Sequence, residues 1–71
     1  MQNKQIYTYQ ISYEFIDFTD NNKIKKQFNI INLDHSLTKV EYENYIATYQ
    51  SLFGSYLLNI NIIKIFKFTN F

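Results

Sequence analysis

Apolar and polar residues alternate along the first quarter of the chain. Polar side chains separate five apolar or aromatic residues: Tyr7, Tyr9, Ile11, Tyr13 and Phe15. A period of two in aromatic and β-branched residues is typical of a strand with one buried face. The pattern predicts a first strand over Gln5–Phe18, with the odd-numbered residues buried.

A turn and a second alternating segment follow. Residues 19–22 are rich in Asp and Asn, which tolerate positive φ, and they predict a turn with Asn21 and Asn22 as a two-residue loop. A second strand over Lys23–Leu33 then pairs with the first in a register that places Phe28 opposite Phe15. Its buried residues in this register are Ile24, Phe28 and Ile30. The prediction is a β-hairpin whose apolar residues share one face.

The next segment predicts a helix. Thr38 and Glu41 have the spacing of a capping box, in which each side chain bonds the backbone N–H of the other residue. Gly54 stands where a C-terminal cap with positive φ is needed. The apolar residues between these positions recur at helical spacing: Tyr42, Tyr45, Ile46, Tyr49, Leu52 and Phe53. We predict a helix over Lys39–Phe53.

A third strand is predicted over Tyr56–Phe68. Its inward residues are Leu58, Ile60 and Ile62. Ile63 and Ile65 lie on the opposite parity, so either a bulge near Ile62–Ile63 resets the phase or both faces of the strand are partly covered.

Together these segments predict an α+β fold. The element order is ββαβ: a three-stranded antiparallel sheet in the order 2-1-3, with one helix packed on one face. The third strand neighbours the first because the first strand extends beyond the end of the second and needs another partner there. We expect a single small domain over residues 1–71.

Composition narrows the classes of protein without identifying an activity. The 71 residues include no Cys, no Pro and one Gly, and the formal net charge is +1. These counts exclude a disulfide scaffold, a Cys-ligated zinc site and a strongly charged tail. No signal-peptide pattern is present and no apolar stretch reaches the ~20 residues of a membrane span, so we expect a cytoplasmic protein without membrane contact. The excess of Ile, Asn, Lys, Tyr and Phe indicates an AT-rich genome, that of a low-GC bacterium or its phage.

Candidate catalytic groups are sparse. The one histidine, His35, stands between Asp34 and Ser36, and adjacent side chains point apart too strongly to act as a triad. We therefore interpret His35 as a solvated loop residue near a helix cap formed with Asp34 or Ser36. No carboxylate pair, metal-ligand spacing or Gly-rich phosphate loop is present. We expect a protein that is not an enzyme and uses no cofactor or metal.

Nucleic-acid binding is the alternative function. Lys23, Lys25 and Lys67 are candidates for one sheet face, where lysines and nearby aromatic rings bind single strands. The chain has no Arg and is almost neutral, so the usual basic surface is missing. A third hypothesis is a small-molecule sponge with a pocket at a dimer seam.

The leading hypothesis is a non-catalytic protein-interaction module. In the order 2-1-3 the third strand is an apolar sheet edge, and such edges recruit further strands. The predicted interface residues are Ile31, Leu57, Asn59, Asn61, Ile63, Ile65 and Lys67. We expect a homodimer that also binds a larger host protein, as a phage or mobile-element inhibitor of the anti-CRISPR kind would.

Overall fold

Three antiparallel strands and one helix make up residues 5–65, the part of the chain that the computed structural model describes. The elements are β1 (Tyr7–Asp17), β2 (Lys23–Leu33), α1 (Lys39–Phe53), a 3₁₀ turn (Gly54–Tyr56) and β3 (Leu57–Ile65). The sheet order is β2-β1-β3, and β1 pairs antiparallel with both neighbours. The predicted ββαβ arrangement is therefore confirmed.

The hairpin turn is longer than predicted. Asp17 pairs with Lys23, which leaves a five-residue loop between the strands rather than two residues. The backbone N–H of Asp20 donates to the carbonyl of Asp17, and that of Lys23 donates to the carbonyl of Asp20, both at 3.1 Å. Asn21 and Asn22 have φ of 53° and 55°, the left-handed region that Asn tolerates. The prediction of positive φ is confirmed, but the loop length was wrong.

The longer loop reverses the two faces of β2. Phe15 lies opposite Lys25, and Phe28 lies opposite Ser12. Residues directly opposite each other project to the same side of a sheet, so the odd-numbered residues of β2 share the face of Phe15. The prediction that Ile24, Phe28 and Ile30 are buried was therefore wrong; all three are exposed.

Strand β3 keeps one phase from Asn59 to Ile65. Ile60 and Ile62 lie opposite Tyr13 and Ile11 on the helix side, as predicted. The register shifts at the start of the strand, where Glu14 pairs with Asn59 and Phe15 pairs with Leu57. The irregularity thus lies at Leu58, not near Ile62–Ile63 as one prediction had it. It leaves Leu58 about half exposed and not in the core.

The core is a single layer between β1 and α1. Ile11, Tyr13 and Phe15 are buried, and Ile11 is 1% exposed. The helix covers them with aromatic rings: the centroid of Phe53 lies 4.7 Å from that of Phe15, and Tyr49 lies 4.8 Å from Tyr13. Such tilted ring pairs add to the stabilisation from buried area. The opposite face of the sheet has no helix over it within residues 5–65.

The two ends of α1 are those that the sequence predicts. The Thr38 side chain accepts a hydrogen bond from the N–H of Glu41, and the Glu41 carboxylate accepts one from the N–H of Thr38. These bonds satisfy backbone donors that a helix otherwise leaves unpaired. Gly54 follows the last turn with φ of 55°, which favours glycine.

Candidate interaction surface

The sheet face turned away from α1 is the candidate site, and we call it the open face. Strand alternation places on it the even-numbered residues of β1 and β2 and the odd-numbered residues of β3 from Asn59 onward. Its apolar members are Ile16, Ile24, Phe28, Ile30, Ile63 and Ile65. Its polar members are Thr8, Gln10, Ser12, Glu14, Lys26, Asn32, Asn59 and Asn61.

Large apolar side chains dominate the two outer strands of this face. Ile24 and Phe28 on β2 are 64% and 63% exposed, and Ile30 and Ile63 are each a little under half exposed. Ile30 and Ile63 both lie beside Gln10, so they flank the central strand in one row. At roughly 200 Å² per side chain, these four residues leave about 400 Å² of apolar surface in water.

The centre of the open face is polar and electrically balanced. A shallow groove of about 390 Å³ runs over Ser12 between Phe28 and Asn61. Glu14 and Lys26, the charged residues of this face within residues 5–65, lie directly opposite each other on β1 and β2. Opposite charges in that position stabilise a strand pair and leave no net field.

Hydrogen bonds connect four of the other polar side chains of the face. The amide of Gln10 donates to the hydroxyl of Ser12 at 2.8 Å, and the hydroxyl of Thr8 donates to the side-chain carbonyl of Asn32 at 2.8 Å. Thr8 is itself buried. These polar groups are already paired within the chain, which lowers the penalty of covering the face with another surface.

The predicted interface residues divide between the two faces. Those that lie on the open face are Asn59, Asn61, Ile63 and Ile65. Ile31 and Leu57 were predicted outward, but both pack against the core cluster of Ile11. Ile31 does so because the five-residue turn reverses β2, and Leu57 does so because the register shift turns it toward the helix side. Lys67 lies outside the described residues.

Sequence reasoning missed the β2 side of the surface, namely Ile24, Phe28 and Ile30. The signal that points to them is the chemistry of the turn. The carboxylate of Asp17 accepts hydrogen bonds from both the N–H and the hydroxyl of Thr19, which starts the turn immediately after Asp17. A loop that starts after Asp17 and ends before Lys23 has five residues. It pairs odd-numbered residues of β1 with odd-numbered residues of β2, and even-numbered with even-numbered.

Two of the three lysines predicted to bind nucleic acid, Lys23 and Lys25, form ion pairs at the hairpin turn. Lys25 Nζ lies 2.8 Å from Asp17 Oδ2 and 3.1 Å from Asp20 Oδ2, and Lys23 Nζ lies 3.8 Å from Asp20 Oδ1. The bond to Lys25, followed by that from Thr19, lowers the pKa of Asp17 to about 2. The hydrogen bonds of Lys25 to Asp17, and then to Asp20, raise the pKa of Lys25. Two lysines and two aspartates leave this corner neutral.

His35 lies between two carboxylates at the N-terminus of α1. Its Nδ1 is 2.6 Å from Asp34 Oδ1, and its Nε2 is 2.8 Å from Glu41 Oε2. The bonds to Asp34 and then Glu41 raise the pKa of His35, and His35 lowers the pKa of each carboxyl. The imidazole thus links the loop to the helix. The cap of α1 is Thr38 with Glu41, as the capping-box spacing predicts, and neither Asp34 nor Ser36 helps to cap the helix.

The same loop is anchored to β1 through a buried tyrosine. The hydroxyl of Tyr9 accepts a hydrogen bond from the N–H of Leu37 at 2.9 Å and lies 3.4 Å from Ser36 Oγ. These contacts, the Ser36 bond foremost, lower the pKa of Tyr9. They fix the loop before α1 against the sheet and so determine where the helix lies on it.

Within residues 5–65, no three His, Asp or Glu side chains are placed to hold a metal ion. No helix in that range is long and apolar enough to cross a membrane. No protein-family model matches the chain, and no curated protein or solved structure is significantly similar to it.

Proposed function

We propose that this chain is a non-catalytic protein-interaction module that self-associates through the open face. The observation that supports this function is a set of exposed apolar side chains on the open face, namely Ile24, Phe28, Ile30 and Ile63. The largest apolar patch on a typical monomer has about 300–600 Å² and is often functional. The four side chains together expose about that much, with Gln10 and Lys26 between them. Here the patch occupies one side of a single three-stranded sheet.

The electrostatics of the surface support a protein partner. Glu14 and Lys26 neutralise each other across the strands, and the amides of Asn59 and Asn61 carry no charge. Charged residues are depleted at the centres of protein–protein interfaces, where aromatic residues are enriched. Phe28, beside the groove, supplies such an aromatic anchor.

A charge placed on the open face tests the proposal. We expect Phe28→Asp to shift the monomer–dimer equilibrium of the purified chain toward monomer by at least about tenfold in dissociation constant, because a carboxylate would be desolvated on association. The measurement is sedimentation equilibrium over a range of micromolar concentrations. Val40→Asp on the helix is the matched control, because Val40 is 65% exposed and Phe28 is 63% exposed.

Two results would contradict the proposed function. One is a wild-type chain that stays monomeric at high micromolar concentration. The other is an equal effect of Phe28→Asp and Val40→Asp on association. Circular dichroism of both variants checks that neither change unfolds the chain, and Ile63→Lys provides a second open-face charge on another strand.

The larger partner stays a prediction. We propose that a larger host protein is bound and occluded, as an anti-CRISPR-like inhibitor would do. Affinity capture from the native host, with wild-type and Val40→Asp baits beside a Phe28→Asp bait, tests this. A protein retained by the first two baits and lost from the third would support binding through the open face, and equal retention by all three would contradict it.

One observation favours the alternative of single-stranded nucleic acid. Phe28 is exposed beside Lys26, with Asn59 and Asn61 across the groove, and bases stack on exposed aromatic rings. The pairing of Lys23 and Lys25 with aspartates weighs against it. A fluorescence-anisotropy series with single-stranded DNA and RNA separates the two functions, since tight binding that falls steeply with salt would favour nucleic acid.

A further inference from the structure

We infer that the open face is covered by a second copy of this chain in a specific orientation, with the two sheets face to face and β2 lying over β2 of the second copy. In this arrangement the two-fold axis crosses the strands near Gln10, and Ile30 lies close to its own symmetry mate. The inference rests on the proposed function and specifies how the two copies are oriented.

The construction of the fold supports a second copy as the occupant. Only four apolar side chains within residues 5–65 are buried, and they form one layer on the helix side of the sheet. Small domains with so little core are usually stabilised by disulfides, metals or association, and this chain has no Cys. A second copy is present wherever the chain is made, so it can supply the missing layer before any other partner is met.

The dimensions of the open face determine the area that two copies can bury. Three strands spaced about 4.8 Å apart, with β1 rising about 3.3 Å per residue over 11 residues, cover roughly 500 Å² in projection. An axis at Gln10 lies off the centre of β1, so the second copy overlaps β1 residues 7–13, roughly 330 Å² of this projection, and leaves Ile24 uncovered. The accessible area of a pleated surface exceeds its projection, so each copy buries an area at the small end of the range for specific interfaces. Pairing along the β3 edge alone would cover a single strand and bury less.

The position of the charged row selects the orientation. A two-fold axis parallel to the strands would place every β1 residue over its own copy, so Glu14 would face Glu14 in the middle of the interface. An axis across the strands at Gln10 instead brings Ile30 onto Ile30 and Ile63 onto Ile63. Glu14 and Lys26 then lie about 13 Å from the axis, four residues along the strands and toward the rim. Like charges are kept apart and apolar rows meet.

This dimer has four layers, with the helices outside and the two sheets inside. The sheets would lie about 10 Å apart, as in β-sandwiches. Both copies would present the outer surface of α1 to solvent on opposite sides. The dimer would therefore offer two identical outward surfaces related by the two-fold axis.

Single-cysteine cross-linking tests the orientation. The chain has no native Cys, so Ile30→Cys introduces one thiol. A short bismaleimide that spans about 10 Å should link the Ile30→Cys variant to its copy, and Val40→Cys on the helix is the control. Because neighbouring thiols have an effective concentration near millimolar, we expect the Ile30→Cys variant to link about tenfold or more faster than the Val40→Cys variant in a micromolar solution.

The outcomes distinguish the orientation from self-association. Rapid linking of Ile30→Cys that is lost in the double variant with Phe28→Asp supports the inference. A dimer in sedimentation without linking at position 30 overturns the orientation and leaves the proposed function standing, because edge pairing through β3 would hold the two β2 strands about 24 Å apart. A monomer in sedimentation overturns both.

Discussion

Ile11 is the most deeply buried side chain of the described residues, and its truncation should remove a large part of the stability. It is 1% exposed, lies opposite Ile62 on β3, and forms the core cluster with Tyr13 and Phe15. Ile→Ala changes in cores cost about 2–5 kcal/mol, since transfer energy is lost and a cavity remains. We expect about 3 kcal/mol for Ile11→Ala, because rigid aromatic rings around the site limit its collapse.

This loss is large against the total stability. Domains have about 0.05–0.15 kcal/mol of stability per residue, which gives roughly 4–10 kcal/mol for a chain of 71 residues. Urea unfolding followed by circular dichroism measures the difference. It should be done in a Phe28→Asp background, so that association does not add a concentration-dependent term.

Val40→Ala is the control for Ile11→Ala. Val40 is 65% exposed on α1, and we expect its truncation to change the free energy of unfolding by no more than about 0.5 kcal/mol. The reasoning is refuted if Ile11→Ala loses less than about 1 kcal/mol, or if the two variants lose the same amount. Either result would mean that the layer between β1 and α1 is not the core.

Two further predictions concern the N-terminus of α1. Thr38→Ala should lower the free energy of unfolding by about 1 kcal/mol, because the helix cap is lost. The control Thr48→Ala, in the exposed interior of the helix, should not lower it. Equal losses in urea unfolding would contradict the capping role of Thr38. His35 has a pKa raised by Asp34 and Glu41, so its stabilising contribution is complete below the unfolded pKa of about 6.5 and is lost as the pH rises through the folded pKa. His35→Gln should flatten this part of the plot of stability against pH. An NMR titration of the wild-type chain should place the midpoint of the imidazole above about 6.5. A midpoint at or below that value would refute the stabilising contacts of His35 with Asp34 and Glu41.

The helix was predictable because its signals are local. Thr38, Glu41 and Gly54 each act within one turn of their own position, and the observed bounds Lys39–Phe53 agree with the prediction. The predicted sheet order is confirmed, but its premise was wrong. The predicted two-residue loop made the first strand extend beyond the second, whereas β1 and β2 pair along all eleven residues of each strand.

The faces of β2 were not predictable from alternation alone. The segment reads equally well with Phe28 inward or outward, since alternation defines two faces without saying which is buried. The choice depends on the turn, where Asp17 bonds Thr19 and Lys25. These contacts favour a five-residue loop that places Lys25 beside Phe15 on the helix side and sends Phe28 outward. The same turn explains why Ile31 lies against the core and not on the open face.

The length of this turn also has an evolutionary consequence. A deletion or insertion of one residue between Asp17 and Lys23 changes the parity of the β1–β2 pairing and exchanges the two faces of β2. Phe28 and Ile30 would then face the helix, which would thicken the core and remove much of the apolar surface from the open side. Related chains that differ in this loop by an odd number of residues are therefore expected to differ in assembly, even where their strands are nearly identical. A single indel at the hairpin would therefore exchange exposed apolar surface on the open face for core on the helix side.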